Sequence, residues 1–80
     1  MAVLRLFAAA REAAGTGRDE VDGATVAEVL ATARARYGEA FAAVLATAKV
    51  WVNGEPAGDD AAVQPGDEVA VLPPVSGGDR

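Results

Sequence analysis

The 80-residue chain has no cysteine and no histidine, a single lysine (Lys49), a single serine (Ser76), and one each of Met, Trp and Tyr. Without cysteine there can be no disulfide, thiolate nucleophile, iron–sulfur cluster or thiolate zinc site. Without histidine the commonest general base and the commonest metal ligand are both missing, so no metal site is expected. Ser76 has no ordinary triad partner, and Lys49 is the only residue able to form a Schiff base. A self-contained active site is therefore not expected, and the chemistry this chain joins falls to another protein. Excess positive charge is missing as well. Twelve acidic residues against seven basic ones give a net charge of −5, which argues against nucleic acid and anionic membranes as partners. No apolar run approaches the roughly 20 residues needed to span a bilayer. The N-terminus also lacks a charged-then-apolar signal pattern, so the expected compartment is the cytoplasm.

Apolar residues make up 51% of the chain, but 20 of them are Ala. The large ones are mainly eleven Val and five Leu. Eighty residues allow one domain, and so few large side chains predict a thin core, one sheet with one main helix on one face.

Ala2 to Phe7 alternates as a strand, with Leu4 and Leu6 on one face and Val3, Arg5 and Phe7 on the other. Ala8 to Ala14 reads as about one helical turn stopped by Gly15, and Arg18 to Val21 as a strand returning antiparallel to the first. Thr25-Val26-Ala27-Glu28 fits a capping box. Val26, Val29, Leu30, Ala33 and Tyr37 then share one helical stripe that ends at Gly38. Phe41, Val44 and Leu45 predict one further helical turn under the sheet. Lys49 to Val52 is a strand followed by the hairpin signal Asn53-Gly54, with a short strand expected near Pro56-Ala57. Pro65-Gly66-Asp67 is a turn and Glu68 to Leu72 the last strand, ended by Pro73-Pro74, which cannot donate to a ladder.

One helix covers one face of such a sheet. Leu4, Leu6, Val50, Val52, Val69 and Val71 suit the covered face, leaving Phe7, Trp51 and Leu72 on the open one. Three large apolar residues on one open face, in a chain with so few, read as a docking patch. The competing reading is that one or two of them are partly buried by loops.

The segments Leu6-Phe7-Ala8 with Arg11-Glu12 and Gly15, Thr25-Val26 with Leu30, and Val52-Asn53-Gly54-Glu55 are followed by Pro65-Gly66-Asp67-Glu68-Val69-Ala70 and Leu72-Pro73-Pro74-Val75-Ser76-Gly77-Gly78. In this order they resemble the MoaD/ThiS family of ubiquitin-like sulfur carriers, most of all its molybdopterin synthase small subunits. The resemblance runs from residue 3 to residue 78 and implies an α+β, ubiquitin-like β-grasp fold with a mixed four- to five-stranded sheet. Residues 1–72 would form the domain and residues 73–80 a C-terminal tail, Gly-Gly plus a two-residue extension.

The resemblance also implies a role that needs no catalytic residues of its own. An activating enzyme similar to those of ubiquitin would use ATP and magnesium to adenylate Gly78, and a sulfur donor protein would convert it to a thiocarboxylate. No cofactor would be bound stably. In complex with the large molybdopterin synthase subunit, the carrier would give its sulfur to cyclic pyranopterin monophosphate, as the non-catalytic subunit of that synthase. Pro73, Pro74, Val75, Ser76 and Gly77 would thread the partner's channel, where glycine allows close backbone approach and Pro73-Pro74 limits the entropy lost on ordering. Phe7 and Leu72 match positions where the family places apolar residues facing its partners; Pro56 would join that surface, and the open-face patch adds Trp51 to it. Arg11 and Glu12 fit a family pattern, but helix capping or solvation explains them equally well, and Lys49 reads as a solvated strand end.

Asp79-Arg80 departs from the family pattern, because it holds Gly78 in a peptide bond. The expectation is a precursor trimmed by a C-terminal peptidase; an expression remnant and a paralogue that is never charged are the alternatives. Two other functions stand beside the molybdopterin one. These are a carrier for thiamine, cysteine or tRNA thiolation, and a ubiquitin-like modifier or binding module that is not thiocarboxylated.

Overall fold

In the computed structural model, which describes residues 1–74, the first and last strands lie side by side. The chain runs through β1 (Ala2–Leu6), α1 (Ala8–Ala14), β2 (Arg18–Val21), α2 (Val26–Tyr37), α3 (Glu39–Leu45), β3 (Lys49–Val52), β4 (Glu55–Pro56) and β5 (Glu68–Leu72). The sheet has the order β2-β1-β5-β3-β4. β1 and β5 pair in parallel, and every other pairing is antiparallel. A parallel pair cannot be closed by a tight turn, so almost the whole chain serves as the crossover between β1 and β5. This is the mixed five-stranded sheet of a β-grasp, and the expected α+β class holds.

The alternation in β1 sends Ala2, Leu4 and Leu6 into the core and leaves Val3 and Arg5 half-buried. Val69 and Val71 from β5 meet them on the same face. α2 begins as the sequence predicts: the Glu28 amide donates to the Thr25 hydroxyl oxygen (3.2 Å). The Glu28 carboxylate accepts from the amide of Ala24 (2.9 Å), one residue earlier than a standard capping box requires. The next two orphan amides, on Val26 and Ala27, donate to the carbonyls of Ala61 and Asp59. The loop after β4 therefore helps to cap α2. Val63 in that loop is buried, a core position that no strand or helix pattern marks.

Two expectations need correction. Ala8–Ala14 and Glu39–Leu45 are each seven-residue helices rather than single turns, so three helices share the covering of one sheet face. Gly38, at φ +92°, both ends α2 and starts α3, a conformation in which a Cβ would be strained. With α3 in place, Phe41 is fully buried and meets Tyr37 edge-on at 5.2 Å. Second, Phe7 is not part of β1. It occupies the N-cap position of α1 with an extended backbone, and Ala8 then turns the chain at φ +51°.

Candidate functional site: the open sheet face and the end from which the tail leaves

The three helices leave the other sheet face open, and the strand register sets its side chains in cross-strand rows. One row runs Arg18, Arg5, Ala70, Trp51 and Pro56 across all five strands. A second, toward the N-terminal end of β1, runs Glu20, Val3 and Glu68. The row at the opposite end pairs Leu72 with Lys49. Leu6 pairs with Val71, so Phe7 is the residue that follows β1 at this same end.

The structure places the four sequence-predicted docking residues as follows. Phe7 is exposed (39%), with the Arg5 guanidinium 5.8 Å from its ring centre, a contact worth about 0.5–1 kcal/mol at an exposed site. Leu72 and Trp51 are half-buried on the open face, a degree of burial the competing reading of the sequence allowed for. Pro56 is exposed and pairs directly with Trp51. Those two residues line one side of a shallow groove of about 650 Å³ at the β3–β4 edge, together with Ala48, Lys49, Ala57 and Asp59. Val50 and Val52, expected under the helices, are only half-buried, because β4 spans just two residues beyond them. Pro73 is half-buried and Pro74 exposed, continuing directly from β5. Val75, Ser76, Gly77 and Gly78, with Asp79-Arg80, lie outside the described residues.

Arg5, Arg18 and Lys49 put three cations on the two rows nearest the tail, although the chain is acidic overall. Carboxylates hold the third row. Arg5 bridges to Glu68 (3.1 Å) and Arg18 to Glu20 (3.7 Å). Arg5 is the residue a search for apolar docking positions passes over; its parity with Val3 on β1, opposite the buried Leu4 and Leu6, is the signal that places it on this face.

Displaced titrations belong to the scaffold. The hydrogen bond from the Tyr37 hydroxyl, then that from Arg36 (2.6 Å), hold the Asp19 carboxyl below its ordinary range. Burial, then the bond to Asp19, push the Tyr37 hydroxyl up. Asp67 is lowered by the Gln64 amide, then by Asn53. Asn53 also donates its amide to the Glu68 carbonyl (2.8 Å) and accepts from the Glu68 amide (2.9 Å), tying the hairpin turn to the start of β5. Among the described residues no helix is long and apolar enough to cross a membrane.

No curated protein matches the chain. Solved structures do. The small archaeal modifier protein SAMP1 of Haloferax volcanii is 36% identical, with a TM-score of 0.80 over 95% of this chain and 97% of its own. A Pyrococcus furiosus protein assigned as subunit 1 of a molybdopterin converting factor is 28% identical, with a TM-score of 0.81 over 92% of this chain and 97% of its own. The CysO chain or its partner in the Amycolatopsis orientalis BexX/CysO complex matches at 26% identity, with a TM-score of 0.82 over 96% of this chain and 99% of that one. The profile of the ThiS family matches residues 4–78. The chain therefore belongs to the ThiS family, the ubiquitin-like carriers of the MoaD/ThiS type.

Proposed function

We propose that this chain is the sulfur carrier of molybdopterin synthesis. The observation that supports it most is the run Leu72-Pro73-Pro74-Val75-Ser76-Gly77-Gly78 in the sequence, whose described start, Leu72 to Pro74, leaves the sheet beside Phe7 at one end of the apolar, cation-flanked face. The similarity to the Pyrococcus converting-factor subunit agrees with it.

On this reading the tail carries the chemistry and the sheet face the recognition. A free carboxylate is a poor electrophile. The Gly78 carboxylate attacks the α-phosphorus of ATP on an activating enzyme that holds magnesium, and pyrophosphate leaves. Sulfide supplied by a donor protein then attacks the acyl carbon, and AMP leaves with the oxygen that joined it to Gly78, giving the thiocarboxylate. Because Asp79 follows Gly78 in a peptide bond, a peptidase must first cleave after Gly78. Phe7, Trp51, Pro56 and Leu72 dock the carrier on the activating enzyme and then on the large synthase subunit. Pro73 and Pro74 stiffen the exit, while Val75, Ser76 and Gly77 thread the channel, where glycine lets the partner's backbone come close. Sulfur passes there to cyclic pyranopterin monophosphate.

Intact mass of the untagged protein from its own host tests this. A chain ending at Gly78 with one oxygen replaced by sulfur is the expected result, together with pterin conversion when the large synthase subunit is added. A chain that keeps Asp79-Arg80 and its oxygen while the pathway is active would defeat the proposal. The 36% identity with a modifier protein favours a second reading, attachment to other proteins. It predicts Gly78 in isopeptide linkage to lysines on those proteins.

A further inference from the structure

The turn between β3 and β4 is built on Asn53 at φ +51° and Gly54 at φ +83°. A tight hairpin turn of this kind needs positive φ at both central residues, and Asn-Gly takes it most easily. The same pair is the one most prone to lose its side-chain amide, asparagine being a thermolabile residue. Glycine has no Cβ to shield its backbone nitrogen, so that nitrogen has ready access to the carboxamide of the asparagine before it. Asn53 and Gly54 are both exposed to water. The Asn53 carboxamide is nevertheless held at both polar atoms. Its Oδ1 accepts from the Glu68 amide (2.9 Å), and its Nδ2 donates to the Asp67 carboxylate (3.0 Å). The Asn53 backbone amide also donates to the Glu68 carbonyl (2.8 Å). Asp67 is fixed in turn by the Gln64 amide (2.8 Å). The carboxamide is thus committed to the start of β5.

We propose that Asn53 is a deamidation site whose reactivity is gated by this clamp on β5. When the carboxamide leaves the clamp, the Gly54 nitrogen gives up its proton to solvent and attacks Cγ of Asn53. The N–Cγ bond forms and the Cγ–Nδ2 bond breaks. Ammonia leaves with a proton taken from water, and a cyclic imide remains. Water then opens the ring. Cleavage of the new N–Cγ bond gives an aspartate at position 53, and cleavage of the original peptide bond gives an isoaspartyl residue, whose main chain runs through Cγ. Overall, water is taken up and ammonia released, with no oxidation or reduction. Neither product restores the clamp. A carboxylate at position 53 has no Nδ2–H to give, and it faces Asp67, which the Gln64 amide keeps ionised. The isoaspartyl product also lengthens the main chain of a two-residue turn by one carbon, so Trp51 and Val52 lose their register with Pro56 and Glu55. Trp51 and Pro56 belong to the candidate docking face. Loss of docking after deamidation therefore rests on the carrier reading, whereas the reaction and its gating do not.

Asn53 is the only asparagine, and the only glutamine, Gln64, precedes Pro65, whose nitrogen carries no hydrogen and cannot attack. Intact mass therefore reads Asn53 alone, and digestion resolves aspartyl from isoaspartyl peptides. The full chain is held in mildly alkaline buffer, folded in one sample and in urea above its unfolding transition in another. The unfolded chain is expected to deamidate at least about tenfold faster, the factor that release of the clamp's hydrogen bonds supplies. Asp67→Ala frees Nδ2 and is expected to speed conversion of the folded chain severalfold. Asp67→Asn keeps an acceptor and is expected to stay close to the parent rate. Melting temperatures establish that both variants are folded, and the comparison on the parent chain stands without them. The isolated isoaspartyl product is expected to shift the emission of Trp51, the only tryptophan. Equal rates in the folded and unfolded parent would overturn the gating, as would an unchanged rate in folded Asp67→Ala. No mass gain in the unfolded chain would overturn the site. Thiocarboxylation of Gly78 changes the mass by a different amount, so the carrier reading stands or falls on its own peak.

Discussion

Leu6 of β1 and Val71 of β5 face each other in parallel register, so the two strands stop within one residue of the same level. Phe7 leaves the first and Leu72 ends the second within one strand spacing. The tail therefore starts from the middle of the sheet, with the exposed aromatic ring beside it. A partner that receives the tail at this end meets Phe7, Leu72 and the Arg5 guanidinium in the same encounter.

On the proposed function, binding to the large synthase subunit depends on that end of the sheet. Leu72→Asp and Phe7→Ala should each weaken the complex by more than tenfold, since central apolar anchors cost upward of about 1–2 kcal/mol on truncation. Ala35→Glu, on the exposed side of α2, should leave affinity unchanged. Titration calorimetry with melting temperatures of the free variants checks both. Equal affinities for Leu72→Asp and the parent would remove this face from the interface.

Leu6→Ala should destabilise the domain by about 2–5 kcal/mol, the range for a leucine truncated at a buried site. Leu6 is 2% exposed and sits where the parallel pair meets the helices. Urea unfolding followed by far-ultraviolet circular dichroism measures the loss.

Ala8 holds φ +51° at the turn between Phe7 and α1, a region that costs an L-residue with a Cβ roughly 1–2 kcal/mol. Ala8→Gly removes that strain but gives the unfolded chain more freedom, which takes back about 0.4–1 kcal/mol. A net gain of about 0.5 kcal/mol is expected from these opposing effects. A loss in urea unfolding would show that the turn is not strained.

Acid stability should depend on Asp19. Its pKa is held below the ordinary 3.8 by the Tyr37 hydroxyl and then by Arg36. A carboxyl lowered in the folded state stabilises the protein fully above the unfolded value, and that contribution is lost as pH falls through the folded one. Asp19→Asn is expected to lower stability at neutral pH by about 1 kcal/mol and to flatten the decline below pH 3.8. Tyr37→Phe should move the decline to higher pH. Unfolding free energies measured from neutral pH into this range separate the two variants.

Much of the scaffold is legible in short windows of sequence. The strand spans of β2 and β3, the Thr25 cap and the Gly38 stop each depend on residues within a few positions of one another, where propensity and hydrogen bonding act directly. The lengths of α1 and α3 were not legible, because runs of alanine lack a strong apolar stripe and their helices are completed by packing of Ala10, Phe41 and Leu45 into the shared core. Val63 was not legible for a related reason: a lone valine in a loop becomes core only when the loop is drawn onto α2 by the Ala24 carbonyl.

The sequence by itself determined the absence of thiol and imidazole chemistry, four strands and the main helix, and the Leu-Pro-Pro-Val-Ser-Gly-Gly run with its charged extension, since all of these are carried by residue identity and local order; whether a short fifth strand forms near Pro56 was left to the structure. Only the tertiary structure decided what those residues face. The parallel β1–β5 pairing joins positions more than sixty residues apart, and no local pattern encodes such a register. It brings Phe7 to Leu72, and through β3 it sets Lys49 beside Leu72 at the end from which the tail departs, with Trp51 two residues back against Ala70. The shortness of β4 then leaves a shallow groove beside Trp51 and Pro56, because two residues of edge strand cannot cover the side chains of the strand beside it.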